Sequence, residues 1–542
     1  MSTGKELVMA ALRGETTERV PWVPFVGCHG GFLTETSVDE LLQSADKIVA
    51  GQLKAAELYQ PDGLPVTFDL QIEAEALGCE LRWEKSSPPA VTTHVLRKAA
   101  DHGLQVPDMK SGRIPIVMEA AESLRKALPD TAIYGLITGP FTLAMHLLGS
   151  NLFMEMYDNQ ESLKELIHFC GQVGQAMAQG YMDAGCDVIA VVDPMTSQIG
   201  PAQFEEFVTP ECTRLFAFIR EQECLSSFFV CGHALKNLEV MCDCKPDNVS
   251  VDENIPLPTA KEICLERGTS FGGNLRLTTA LLNGTPERNA INAFECLSVG
   301  GNSGFVLAPG CDLPYNVPIA NLQAVTDVVR DEYKRQIAEE LAANTEVEDL
   351  ATIDLSDYGL TDKVVVDIIT LDSEACAPCQ YMVEAVKEIV PQFEELVIWR
   401  EHKIKSQDSV AFMASLMVKN VPTICIDGQI KFVSTIPTRD QLIDAIQERI
   451  NEKSKIKIKR RQARVTIVDS NGTDEELESR MKIAARELGL DLDIQRSADK
   501  DLARSYGAKD LPAVILSVST LKSSGRIPEV KIMKEWLKDL IL

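Results

Sequence analysis

The pair Cys376-Ala-Pro-Cys379 carries the most pointed chemical signal in the chain. It follows an apolar run, VVVDIITLD, and opens an amphipathic stretch, which places Cys376 at a helix N-terminus. Free N–H groups and partial positive charge at that end favour a thiolate on Cys376. Cys379, one turn along, can resolve a mixed disulfide. Half of a zinc knuckle is the bland alternative, but no second CxxC lies nearby to complete it. More sulfurs stand earlier, each at or near the end of a short β-rich run: Cys28-His29, Cys231-Gly232-His233 and Cys311. Thiolates with imidazole suit tetrahedral zinc, and Cys231 and His233 project to one side if the strand runs that far. Cys231 and His233 could therefore reach one metal ion. Asp69 and Asp193 end two further runs and are the candidate catalytic carboxylates. Cys28, His29 and Asn274 are the candidate substrate contacts.

Those runs define the scaffold. PWVPFV (21–26), GLPVTFD (63–69), AIYGLITG (132–139), DVIAVVD (187–193), SSFFVCG (226–232), NVSVD (248–252), SFGGNL (270–275) and GFVLAP (304–309) alternate with stretches of helical periodicity. Eight strand–helix units over residues 1–340 predict an α/β fold, a (β/α)8 TIM barrel, with its active site at the C-terminal strand ends. A doubly wound open sheet is the alternative. The long gap between the second and third runs predicts an insertion or an extra hairpin.

Two charged stretches then divide the chain. Residues 341–362 form an acidic linker, and from Glu339 to Asp357 there are seven acids and no Lys or Arg. Residues 453–462 form a basic one, KSKIKIKRR, read as a solvated linker rather than a docking strip. The pieces they bound, 363–452 and 463–542, repeat one pattern over about 85 residues: strand, turn and helix first, an X-Pro strand later. Where the first copy has its dithiol, the second reads Ser470-Asn471-Gly472-Thr473, without sulfur.

The 542 residues carry a formal net charge of -27, which argues against phosphate-neutralising contacts with nucleic acid or an anionic membrane. No apolar run approaches the ~18 residues of a spanning helix. The start lacks a signal-peptide core, so a cytoplasmic protein is expected. Fifteen cysteines, an odd number scattered through the chain, read mostly as buried packing in a reducing compartment. Cys242, Cys244, Cys425, His146 and His168 belong to that packing class. No GxGxxG or P-loop spacing supports a nucleotide cofactor.

The dithiol segment resembles the thioredoxin/glutaredoxin family over roughly 363–450, and Val421-Pro422-Thr423 matches the cis-proline loop that faces the dithiol there. The resemblance implies a redox role for Cys376, Cys379 and Pro422. Leu511-Pro512-Ala513 keeps that loop in the second copy, which is read as a degenerate docking or dimerising module. The barrel resembles the uroporphyrinogen decarboxylase superfamily across almost all of 1–340, through GLPVTFD, ITGPFTLAMHLLG, AGCDVIAVVDPMTSQIGPAQFEEFVTP, VCGHA, FGGNL and GGNSGFVLAPGCDLPYNVP. It is most similar to the zinc methyltransferases that move a methyl group between a corrinoid protein and a thiol such as coenzyme M. In that branch zinc is held by a His-x-Cys pair before a glycine and a later cysteine after Pro-Gly. Cys231 before Gly232 and Cys311 after Pro309-Gly310 match. Phe229 stands where the histidine belongs, leaving His233, His29 or Cys28 as substitutes.

The resemblance implies a zinc-dependent methyltransferase that uses a corrinoid (methylcobamide) supplied by a partner protein. No DxHxxG cobalamin motif is found in the chain. The acceptor would be a small-molecule thiol or tetrahydrofolate, and a homo-oligomer is compatible with the sequence. The dithiol would keep the site reduced or dock the corrinoid protein. The alternative is a non-enzymatic corrinoid- or tetrapyrrole-binding scaffold. A uroporphyrinogen-type decarboxylase ranks last, because its arginine-rich substrate motif is replaced by VPFVGCHGG.

Overall fold

The computed structural model describes residues 2–538 apart from 345–354, 356–357, 359–362, 375, 419, 462–463, 471–474, 489–491, 517–519 and 525–526. Seven strands form one parallel sheet: β1 (Gly63–Pro65), then, after a two-strand insertion, β4 (Ala132–Thr138), β5 (Val188–Val192), β6 (Leu225–Val230), β7 (Asn248–Val251), β8 (Ser270–Leu275) and β9 (Phe305–Pro309). The insertion is the expected hairpin, β2 (Leu81–Arg82) against β3 (Ala90–Val91), antiparallel.

The run PWVPFV closes the ring without becoming a regular strand. Val23 N donates to Leu307 O (2.9 Å), Leu307 N to Pro21 O (3.0 Å) and Asp62 N to Trp22 O (2.8 Å), so this segment lies between β9 and β1. Pro21 and Pro24 have no N–H to give a ladder, which reduces the eighth stave to a bridge at Trp22.

Side-chain alternation fills both faces of the sheet. Tyr134, Leu136, Ala190, Val192, Phe229, Val306 and Ala308 join Phe25 and Phe68 in one buried cluster inside the ring, with Phe25 and Phe229 edge-to-face at 5.4 Å. The helix Gly4–Leu12 adds Val8, Ala11 and Leu12 to that cluster. The intervening residues, such as Ile133, Ile137, Ile189 and Val191, pack with the surrounding helices.

The chain folds as two compact units, one holding the barrel and, but for a few residues, the dithiol module to Arg439, the other running from Asp440. The module is a four-stranded sheet of β10 (Val364–Thr370), β11 (Val397–Lys403), β12 (Thr423–Ile426) and β13 (Gln429–Val433), in the order β11-β10-β12-β13. In the second unit, β14 (Arg464–Val468), β15 (Asp493–Ser497), β16 (Ala513–Leu516) and β17 (Thr520–Ser524) take the order β15-β14-β16-β17. The two sheets share this order, and a cis X-Pro bond (Val421–Pro422, Leu511–Pro512) precedes the third strand of each, as the internal repeat predicts. Of the sulfur-free segment, 471–473 lie outside the described residues.

Two expectations are corrected. The acidic linker begins as helix, Glu332–Asn344, and most of its remainder lies outside the described residues. The basic linker 453–462 is helical through Arg461, as the end of Arg439–Arg461. It contains no Gly or Pro and is rich in Lys, Arg and Ile, so nothing in it breaks the helix. Among the described residues no helix is long and apolar enough to cross a membrane.

Candidate active site

All barrel strands run parallel, so their C-terminal ends share one rim. Cys231 directly follows β6, and Cys311 follows β9 by two residues. Their Sγ atoms meet at 2.8 Å although 80 residues separate them in the chain. Gly232, at φ +90°, turns the backbone away directly after Cys231, and its N–H donates to Asp252 at the end of β7. Asp252 also accepts from Asn254 N (2.9 Å) and Asn254 Nδ2 (3.0 Å). Glu253 follows it. Its Oε1 accepts from Leu277 N (3.1 Å), while Oε2 lies so close to Gly310 that a Cβ there would collide with it. The glycine before Cys311 is thus required by close approach.

Enclosure sets the electrostatics of this rim. Desolvation, then the charge of Glu253, pushes Asp252 up to about 8. Desolvation pushes Glu253 to about 7 and Asp312, whose carboxylate accepts from Gly27 N (2.8 Å), to about 7. The contact with Cys311, then desolvation, raises the Cys231 thiol well above its ordinary range. These groups therefore sit near neutrality or hold their protons at pH 7.

The dithiol module contributes the other wall. The helix Ala377–Ile389 starts at Cys376 and packs on the barrel: Tyr381 is buried within the barrel's own core, its hydroxyl 3.3 Å from Met145 O and 3.2 Å from His146 Nδ1. Gln380 Nε2 donates to Val91 O (2.9 Å), and Ile436 N to Gln198 Oε1 (3.0 Å). A cleft remains between module and rim. One lobe, of about 910 Å³, is lined by Cys28, Asp312 and Tyr315 from the barrel and by Asp372 and Lys405 from the module. The other, of about 900 Å³, is lined by His233, Glu253, Cys379 and Pro422. Cys231, Cys311 and Cys376 line both.

Cys376 and Cys379 approach to 2.6 Å, the former half-buried and the latter buried. The thiolate expected on Cys376 is not favoured. The contact with Cys379, desolvation and the nearby charge of Cys311 together raise its pKa, outweighing the helix end.

The remaining sequence candidates separate into lining and framework. Cys28 lines the first lobe beside Asp312, and His233 lines the second with its Nδ1 unpartnered. His29 is buried, with Nδ1 2.9 Å from Tyr315 O and Nε2 2.7 Å from Tyr59 OH. Burial lowers its pKa to about 4, so both nitrogens serve the scaffold. Asn274 spends its amide on Asp252 O (3.0 Å) and Ile255 O (2.7 Å). Asp193 accepts from Phe141 N (3.2 Å), Thr142 N (2.7 Å) and Thr142 Oγ1 (2.6 Å), capping the helix Pro140–Leu148. Asp69 is buried and paired with Arg113, which also holds Glu75 (2.6 Å). Four candidates are thus held by the framework rather than presented to the cleft.

Glu253 and Asp312 were missed as candidates. Glu253 directly follows the run NVSVD and Asp312 directly follows Cys311, and that adjacency to a strand end was the available signal. Lys405, which pairs with Asp372, had none. Zinc finds two thiols here. Among the described residues, however, no three His, Cys, Asp or Glu side chains are grouped to hold a metal ion. The residues as arranged do not complete a zinc cage, and no step is derived through one.

A parallel barrel with a cysteine pair and desolvated carboxylates at its mouth defines the class. The family described as Uroporphyrinogen decarboxylase (URO-D) matches residues 3–332, and the chain belongs to it. Among its relatives, the "Methylcobamide:CoM methyltransferase MtbA" of Methanosarcina acetivorans is 28% identical over 345 residues, 61% of this chain and 98% of that protein. The "Methylcobamide:CoM methyltransferase MtaA" of Methanosarcina barkeri is 30% identical over 353 residues, 61% and 98% of the two chains. A solved structure titled "methyltransferase from Methanosarcina mazei" superposes with a TM-score of 0.57 at 27% identity, covering 61% of this chain and 99% of that one.

Proposed function

We propose that the barrel transfers a methyl group from a methylcobamide, carried by a partner corrinoid protein, to a small-molecule thiol. The observation that carries the reading is the convergence of Cys231 and Cys311 at the mouth, at the two cysteine positions of the corrinoid:thiol methyltransferase pattern. Similarity to methylcobamide:CoM methyltransferases over nearly their whole length supports it. In the reaction the acceptor sulfur attacks the methyl carbon, the Co–C bond breaks with its electron pair left on cobalt, and the thiol proton must go to a base. Glu253 suits that role, because burial raises its carboxyl to about 7, where it can accept a proton near neutral pH, and its Oε2 lies beside Gly310, next to Cys311. Cys231 and Cys311 line the acceptor's place.

The module resembling thioredoxin stands over this mouth as a redox-active attachment, and entry of a corrinoid requires it to move aside. The test is demethylation of methylcobalamin, free and on a corrinoid protein, by reduced full-length protein with coenzyme M, other thiols and tetrahydrofolate. Thiol-dependent turnover lost in Cys231→Ser and Cys311→Ser supports the reading. Turnover with tetrahydrofolate alone reassigns the acceptor. No turnover with any acceptor, alongside tight corrinoid binding, leaves a binding scaffold instead. Elemental analysis decides zinc: near-stoichiometric metal lost in both variants would place it on the pair.

A further inference from the structure

Two close pairs of sulfurs from two different folds face one cleft, with Cys28 beside them in the first lobe. Cys231 and Cys311 stand 2.8 Å apart at the barrel rim, and Cys376 and Cys379 stand 2.6 Å apart at the start of the module's helix. Cys231, Cys311 and Cys376 line both lobes, and Pro422, on the loop before β12, lines the lobe that Cys379 reaches. Packing alone does not account for this placement. The module is fastened to the barrel by Tyr381, Gln380 and the backbone of Ile436, and these contacts hold the dithiol end of the helix toward the rim. Apart from Cys28, the other barrel sulfurs, such as Cys170, Cys212 and Cys264, are buried away from this cleft.

We propose that the chain is an intramolecular dithiol–disulfide oxidoreductase whose substrate is its own Cys231–Cys311 pair. The proposal concerns the site of the methyl-transfer reading and rests on it only for its purpose. Two thiols this close are readily joined: a hydroperoxide takes two electrons and two protons from Cys231 and Cys311, giving one S–S bond and an alcohol plus water. A small-molecule disulfide does the same and leaves as two thiols. In this form neither barrel sulfur is free to serve methyl transfer.

Cys376, the more accessible member of its pair, then attacks a barrel sulfur and gives up its thiol proton as it does so. The barrel S–S bond breaks, a Cys376–barrel bond forms, and the displaced barrel sulfur takes up a proton. Cys379 attacks Cys376 in turn, and the second barrel thiol leaves. The barrel pair has gained two electrons and two protons, and Cys376–Cys379 has become the disulfide. A cytosolic dithiol, small molecule or protein, reduces it again. Cys231, Cys311 and Cys376 are half-buried on the cleft and Cys379 is buried, so the exchange runs inside the cleft, and the external dithiol reaches Cys376–Cys379 when the module moves aside.

The full-length chain tests this by disulfide mapping, which does not depend on methyl transfer. In Cys379→Ser the second attack is blocked, so mild oxidation with hydrogen peroxide, followed by alkylation and digestion, should yield a peptide joining Cys376 to Cys231 or Cys311. In fully oxidised protein, reduction of Cys231–Cys311 by about 0.1 mM dithiothreitol should slow about tenfold in Cys376→Ser, since a tethered thiol acts at roughly millimolar effective concentration. Melting temperatures establish that both variants are folded. A Cys231–Cys311 disulfide that forms in Cys379→Ser without any link to Cys376 overturns the proposal, as does a reduction rate unchanged in Cys376→Ser. Intact exchange in a protein that fails every demethylation assay would overturn only the methyl-transfer reading.

Discussion

The side chain that joins the module to the barrel is Tyr381, and its removal gives the most quantitative prediction. Tyr381 is 3% exposed and lies in the same buried cluster as the barrel helices, while its hydroxyl reaches Met145 O and His146 Nδ1. Truncating a buried aromatic to alanine costs about 3–5 kcal/mol. The two polar contacts contribute roughly 1 kcal/mol each, part of which is already inside that figure. If at least about 3 kcal/mol of this loss falls on docking, then at about 1.4 kcal/mol per factor of ten the undocked population in Tyr381→Ala rises about a hundredfold or more. Tyr381→Phe keeps the ring and loses only the hydroxyl, so it should raise that population about fivefold.

The assay is the rate at which a maleimide labels Cys376 and Cys379 in reduced, full-length protein. Cys376 and Cys379 line the cleft between module and barrel, so labelling follows the open fraction as long as closing is faster than alkylation. The expected order is wild type, then Phe, then Ala, with the large step between Phe and Ala. Equal labelling in all three, with unchanged thermal stability, would refute the assignment of docking to this side chain. Faster methyl transfer in Tyr381→Phe would further indicate that opening of the module limits access to the rim.

Two further outcomes follow from the site and its support. With Glu253 as the proton acceptor, methyl transfer to a thiol should rise with pH through about 7, where its carboxyl loses the proton; Glu253→Gln should lower kcat/KM about a hundredfold or more, and an unchanged pH profile would exclude it. Removing that charge also removes one cause of the raised Asp252 pKa, so any residual activity governed by Asp252 should have its midpoint below about 8. Arg113→Met strips Asp69 of its buried partner and should cost about 3–5 kcal/mol in urea unfolding, because it leaves an unpaired charge in the interior. The double change with Asp69→Asn should recover much of that loss, and equal losses in the single and double variants would show that the pair is not coupled.

The barrel's local structure was written in short apolar runs. GLPVTFD, AIYGLITG and DVIAVVD become β1, β4 and β5 with their alternating residues divided between the interior and the helix layer, because side-chain period and strand propensity act over a few residues. An insertion followed from spacing alone, and the strand–turn–helix and X-Pro-strand pattern of the two copies from the internal repeat, whereas the edge strands β11 and β15 carried no such signal. Cys231 and Cys311 were legible because strand ends of a parallel barrel share one rim wherever they fall in the sequence.

What each polar residue does there was not legible from its position at a strand end. Asp193 and Asn274 satisfy backbone groups that the fold would otherwise bury unpaired, and His29 is held between Tyr59 and the Tyr315 carbonyl. Cys376 keeps its proton because neighbouring sulfur and enclosure outweigh a helix end whose field falls off within a turn. Sequence therefore determined the elements and which residues could react. Only the packing of the module on the barrel decided that the two cysteine pairs share a cleft, because that contact joins residues more than 200 positions apart through side chains such as Tyr381, whose burial no local pattern encodes.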